Sequence, residues 1–162
     1  MTVEISRFDA ADRDAVAALV LPIQQNEFGL AVTFEQQADL QDPSVFFRTG
    51  SGEFWTAKTP AGALVGTIGL TEFAPGQGAL RKMFVHADFR GSAHGVAQRL
   101  LDTLLAHARS SGLKTVWLGT TAFFKAAHRF YEKNGFAEVA ATQLPADFPR
   151  MTVDTRFFRI EV

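Results

Sequence analysis

The chain opens on alternation: Val3, Ile5 and Arg7 are interleaved with Glu4, Ser6 and Phe8, a period of two that predicts a short first strand. Asp9 has the residue type of an N-cap, and Asp12 stands three positions on, where negative charge complements a helix dipole. Val16, Leu19, Val20 and Ile23 then follow the i, i+3, i+4, i+7 rule, so a first helix buries one face. Pro22 has no N–H and clashes with the preceding turn, so this helix should kink or end there. Residues 24–47 carry a weaker signal, a turn and a short second helix between Gly29 and Pro43.

From Glu53 the period is again two. Stretches 54–58 and 63–73 predict neighbouring antiparallel strands joined by Thr59-Pro60-Ala61-Gly62, and Pro75, Gly76 and Gly78 turn the chain into a further strand over 79–86. The clearest helix is 95–111, where Val96, Leu100 and Leu104 make one row and Ala97, Leu101, Leu105 and Ala108 the next, with Gly112 placed to end it. A strand over 114–119, an amphipathic helix over 123–134 closed by Gly135, a strand over 136–139, a Pro-bearing loop over 140–149 and a strand over 152–160 complete the chain. No repeat or linker interrupts this order, which predicts one α+β domain with a mixed sheet and helices on its faces.

Composition narrows the chemistry. At 162 residues, 47% hydrophobic and 20% charged, the chain has the make-up of one ordinary globular domain and not of a disordered one. Its formal net charge of −1 provides no global field for nucleic acid or an anionic membrane, so neither is an expected partner. With no Cys it forms no disulfide, no thiolate metal site and no thioester on an enzyme sulfur. The N-terminus lacks a signal-peptide pattern and the strongest apolar run, 15–21, stops at Pro22, so a soluble, cytoplasmic protein is expected. The four His show no H-E-x-x-H or comparable spacing, and no metal is expected. Against sixteen Phe, expected mainly in the core, there is a single phenol, Tyr131.

Between the strand over 79–86 and the long helix lies Arg90-Gly91-Ser92-Ala93-His94-Gly95-Val96-Ala97. Strand, glycine-bearing basic turn and helix N-terminus together make an anion site, because the first helical N–H groups lack partners and the dipole favours negative charge. The plainer reading, that Gly91 and Gly95 only turn the chain, stands beside it. A P-loop is absent, and no G-x-G-x-x-G follows the first strand.

Read together, Arg81-Lys82-Met83-Phe84-Val85-His86, Phe89-Arg90-Gly91, Gly95-Val96-Ala97-Gln98-Arg99-Leu100-Leu101 and Ala127-His128-Arg129-Phe130-Tyr131-Glu132-Lys133-Asn134-Gly135-Phe136 resemble the GNAT superfamily of acyl-CoA-dependent N-acyltransferases. The resemblance is specific over 78–136. It implies a twisted, mostly antiparallel mixed sheet with helices on both faces, whose middle strands splay to admit the pantetheine arm of acetyl-CoA. It also implies that Met83, Phe84 and Val85 offer backbone groups to that arm, and that the turn Arg90, Gly91, Ser92, Ala93, His94, Gly95, Val96, Ala97 and Gln98 holds the pyrophosphate. The family's turn begins with Arg or Gln; here either Ser92 takes that place, or Arg90-Gly91 does and two residues are inserted before His94. Ala127, one turn before Tyr131, leaves room for the cofactor arm, while Phe124 stands where relatives often have Asn.

The implied chemistry is direct attack of an amine on the thioester, with Tyr131 as the acid for the departing sulfur. An amine arrives protonated, so a base is needed. Glu72, at the end of the third strand, and Glu27, in the segment that closes over the acceptor, are the first candidates, followed by Glu35; many relatives place a Glu where this chain reads Gly78-Ala79-Leu80. The acceptor is a small-molecule or peptide amine, and a homodimer remains open. The alternative is a non-catalytic acyl-CoA-binding sensor or partner module of the same fold.

Overall fold

The computed structural model describes residues 2–122 and 124–162. Its strands are β1 (Glu4–Arg7), β2 (Glu53–Lys58), β3 (Leu64–Ala74), β4 (Gln77–Val85), β5 (Thr115–Thr120), β6 (Ala137–Val139) and β7 (Arg156–Glu161). They form one sheet in the order β1-β2-β3-β4-β5-β7-β6. Every neighbouring pair is antiparallel except β4 and β5. The helices are α1 (Arg13–Pro22), α2 (Ala38–Gln41), α3 (Pro43–Phe47), α4 (Val96–Ser110) and α5 (Lys125–Lys133). The expected α+β sheet with helices on both faces is therefore present.

Each face of the sheet carries its own core. The two rows of α4 bury Val96, Leu100, Leu101, Leu104 and Ala108 against Ile68, Leu70, Val116 and Leu118. On the other face α1 contributes Val16 and Val20, which join Leu40, Phe47, Phe54 and Phe8. Part of the Phe excess is accounted for here: Phe47, Phe54, Phe157 and Phe158 are among the largest fully buried side chains. Gly69 makes this packing possible, since a Cβ there would lie 2.5 Å from the Phe47 ring. Among the described residues no helix is long and apolar enough to cross a membrane.

Three sequence expectations are refined. At Pro22 the α-helical geometry stops, but the chain continues as a wider turn over Ile23–Glu27, in which the Phe28 N–H donates to the Ile23 carbonyl at 3.1 Å. Proline removes one donor from the α ladder, and the i→i+5 turn re-satisfies the backbone around the gap. The last strand begins at Arg156, not at 152. Before it the chain makes a tight turn in which the Asp154 N–H donates to the Met151 carbonyl at 3.1 Å and the Met151 N–H to Asp154 Oδ2 at 2.9 Å. These local bonds compete with the ladder, a habit of Asp that alternation alone does not reveal. The helix expected to start at 123 begins at Lys125 in the structure; Phe123 itself lies outside the described residues.

Candidate active site

A cleft opens where the parallel pair β4 and β5 parts. β4 and β5 are paired over Gln77–Ala79 with Thr115–Trp117, after which β5 follows β7 as far as Thr120. The divergence coincides with a bulge in β4. Register shifts by one residue between Thr67↔Phe84 and Gly69↔Arg81, and Lys82 takes a φ of 53°, a left-handed conformation rare for a residue with a side chain. The bulge is held by the Thr67 hydroxyl, which donates to the Lys82 carbonyl at 2.7 Å. Beyond Ala79 one edge of β4 therefore faces the cleft. The His86 N–H donates to Val65 on the opposite side, so by alternation the polar groups of Val85 point into the cleft.

The larger cavity, about 590 Å³, lies between β4, the turn before α4, and α5. Gly91, Ser92, Gly95, Ala97 and Gln98 form one wall and Met83, Val85, Ala127 and Tyr131 another. The turn is built locally: the Gly91 carbonyl accepts from the His94 and Gly95 N–H groups at 3.2 and 3.3 Å, and Gly95 sits at φ 66°. No side chain caps α4, and among the described residues the N–H groups of Val96, Ala97 and Gln98 have no protein acceptor. Three unpaired amides at the positive end of a 15-residue helix suit a diphosphate. Val96 contributes only its amide, its side chain being buried in the core, and Ala93 and His94 are exposed outside the cavity wall.

Arg90 and Glu27 are engaged with each other. Arg90 donates from Nη1 to Glu27 Oε1 at 2.7 Å, from Nη2 to Oε2 at 3.1 Å, and from Nε to the Val85 carbonyl at 2.8 Å. This clamp joins the turn after α1 to the end of β4 and commits both oxygens of Glu27 to a guanidinium. Glu72 lies at the β3–β4 hairpin, the closed end of the V that β4 and β5 make as they part, and does not line the larger cavity or either of two smaller ones beside it. Its Oε1 accepts from the Ser51 N–H at 2.9 Å and its Oε2 from the Gly76 N–H at 3.2 Å, bonds that hold its pKa below the usual carboxylate value. Contrary to expectation it is a turn cap and does not face the cleft. Glu35 is exposed and likewise lines no cavity.

A second, smaller cavity of about 120 Å³ lies on the other side of Met83, Ala127 and Tyr131, which line both. Tyr131 is 6% exposed, its hydroxyl donates to Met83 Sδ at 3.7 Å, and burial raises its pKa above the ordinary phenol value. Phe124 closes the edge of the smaller cavity through a ring contact with Phe28, centroids 4.2 Å apart. Arg81, Lys82 and Asp154 also line it, and Asp39 stands behind them, taking Lys82 Nζ at 3.0 Å and Arg81 Nη2 at 3.1 Å on one oxygen. Asp39 and Asp154 carry no motif. The visible hint was two consecutive cations inside an apolar strand. His128 is buried, bonded to the Thr121 carbonyl at 2.8 Å and to Arg156, and among the described residues no group of three acidic or His ligands is placed for a metal.

This geometry agrees with what the chain resembles. The model of the acetyltransferase (GNAT) family matches residues 18–136. A Staphylococcus aureus crystal structure described as an acetyltransferase of that family is 31% identical, covers 99% of each chain and superposes with a TM-score of 0.94. Zebrafish (Danio rerio) N-acetylaspartate synthetase is 32% identical over 75% of this chain and 44% of its own length. A mouse (Mus musculus) protein described as probable N-acetyltransferase family 8 member 5 is 30% identical over 62% of this chain and 45% of its own. The chain thus spans less than half the length of these two curated relatives. With a family match across most of its length and a strand-splayed cleft ending on free helix amides, this chain belongs to the acetyltransferase (GNAT) family.

Proposed function

We propose that the chain is an N-acetyltransferase that moves the acetyl group of acetyl-CoA onto a small primary amine by direct attack. The observation that carries this reading is the pair of cavities meeting at Met83 and Tyr131: a long groove for the donor on one side and a small chamber for the acceptor on the other. The groove suits the donor on its own features. Unpaired amides of Val96, Ala97 and Gln98 suit the diphosphate, the small side chains of Gly91, Gly95, Ala97 and Ala127 leave width, and the cleft-facing N–H of Val85, whose carbonyl is held by Arg90, suits a carbonyl of the pantetheine arm. Of the three β4 residues suggested by the family resemblance, Met83 and Val85 line this groove, while Phe84 lies in the neighbouring cavity and the acceptor chamber.

Each group then has one task. An N–H of the Met83–Val85 stretch stabilises negative charge developing on the thioester oxygen, worth about 2.7–4 kcal/mol where such donors have been removed elsewhere. Tyr131 keeps its proton across the working pH range and offers it to the departing sulfur. Its present partner is a thioether, a weak acceptor that a thiolate outcompetes. Arg90 holds Val85 and Glu27 together at the mouth of the groove.

The test has two arms. Acetyl-CoA should raise the melting temperature, and free thiol should appear across a panel of small amines. Stabilisation without thiol release would identify a non-catalytic acyl-CoA-binding module; no stabilisation would overturn both.

A further inference from the structure

The acceptor chamber carries separated charge that the acetyl-transfer reading does not by itself use. Asp154 is 7% exposed and lines this chamber. One of its oxygens, Oδ2, accepts from the Met151 N–H; Oδ1 has no hydrogen-bond partner among the described residues. On the β4 wall, Lys82 has a side chain 3% exposed, and among the described residues its ammonium, with three N–H donors, meets one acceptor, Asp39 Oδ2. Asp39 is shared between Lys82 and Arg81, so this wall holds two cations against one carboxylate and keeps a positive charge in excess. Asp154 supplies the compensating negative charge.

We propose that the acceptor is a small primary amine that also carries an acidic group, with Asp154 receiving the ammonium proton and Lys82 facing the acid. This rests on the acetyl-transfer reading above and names its acceptor class and its base. The chamber's 120 Å³, against 590 Å³ for the donor groove, matches a compact acceptor. Its position matches the task, because the chamber touches Met83 and Tyr131, where thioester and leaving sulfur would lie.

The proton balance closes. The ammonium gives one proton to Asp154 Oδ1, which later returns it to water. The freed nitrogen lone pair forms the C–N bond as the C–S bond breaks, and Tyr131 lends its hydroxyl proton to the sulfur. The second proton lost by nitrogen restores the phenol through solvent. The products are an N-acetyl amide, coenzyme A thiol and one proton.

The surroundings of Asp154 favour a proton-accepting role. Burial is the largest influence on its pKa and raises it above the ordinary value, while the Met151 N–H, Arg81 and Lys82 from β4 and Arg150 from its own loop pull the other way. Behind them Asp39 offsets Arg81 and Lys82; from α5, Tyr131 lines the same chamber with its pKa raised by burial, and His128 is bonded to the Thr121 carbonyl and to Arg156.

The experiment is a thiol-release assay at saturating acetyl-CoA with short α-amino acids, their carboxamides and plain alkylamines of equal size, on wild type, D154N, D154E, K82M and K82R. The amino acids should be preferred over the carboxamides by at least about tenfold. D154N should lose about 10²-fold or more in kcat/KM, together with the acid limb of the pH profile, with D154E restoring part of both. K82M should abolish the preference for the acid and K82R should retain it, each variant being first shown by its melting curve to fold and to be stabilised by acetyl-CoA. Carboxamides used as well as acids, or a D154N enzyme with an intact acid limb, overturn this inference and leave the transferase standing. If K82M misfolds, K82R losing the acid preference overturns it equally. No thiol with any amine overturns both.

Discussion

The hydroxyl of Tyr131 lies 3.7 Å from the sulfur of Met83, and both residues line the larger and the smaller cavity. Among the described residues this buried phenol has only a thioether as hydrogen-bond partner, so it gains little stability from its hydroxyl. Tyr131→Phe should therefore change the melting temperature little while lowering kcat by about 10²-fold, and acetyl-CoA affinity should stay within about twofold. Because burial raises the phenol pKa, no basic limb due to Tyr131 should appear below the ordinary phenol value of 10.0. Steady-state kinetics beside calorimetric binding separates the outcomes; equal losses in both would assign the residue to packing.

Glu72 should matter for stability and not for proton transfer. Its folded pKa lies below its ordinary value of 4.5, so the stability it contributes is fully present above that value and is lost as pH falls through the folded pKa. Glu72→Gln weakens two backbone bonds and should cost about 1 kcal/mol at neutral pH, a fall in Tm of about 2–4 °C. The gap should close in acid. The pH–rate profile should keep its shape, and so should that of Glu27→Gln, whose carboxylate answers Arg90. Altered acid limbs would return either residue to the role of base.

Gly95 meets two demands at once, a φ of 66° and a backbone open to the groove. A side chain at this left-handed position costs about 1–2 kcal/mol. Gly95→Val should lower the Tm and, by crowding the free amides of α4, weaken coenzyme A binding by at least about tenfold. Unchanged affinity in a titration would remove this turn from the diphosphate site.

Gly119 governs the seat of Asp154. A Cβ at position 119 would lie 2.5 Å from Asp154 Oδ2 and must displace it. Gly119→Ala should reduce kcat/KM for the acceptor by about tenfold or more while acetyl-CoA affinity is retained, measured on protein whose melting curve shows it folded. Normal turnover would show that the position of Asp154 is irrelevant to acetyl transfer.

Much of the donor side was legible because it is local in sequence. The rows of α4, the glycine turn before it and Tyr131 one helical turn beyond Ala127 are all written within short windows, where period and spacing suffice. The acceptor side was not. Glu72 looked like a base because it ends a strand, yet the hairpin register carries it to the closed end of the V. The strand expected over 152–160 concealed Asp154, whose side chain bonds its own turn and leaves the ladder.

The sequence by itself determined the alternation of strands and helices, the family, and the glycine turn that leaves the first amides of α4 uncapped, because each depends on neighbours a few residues apart. Tertiary structure alone decided which charges meet. Asp39, Lys82 and Asp154 come from three distant segments, and the bulge at Lys82 and the parting of β4 from β5 bring Lys82 and Asp154 to one chamber with Asp39 behind Lys82. The physical reason is that periodicity reports which face of an element is buried, whereas the position of a charge in a cleft depends on strand register and on the path of loops packed against it.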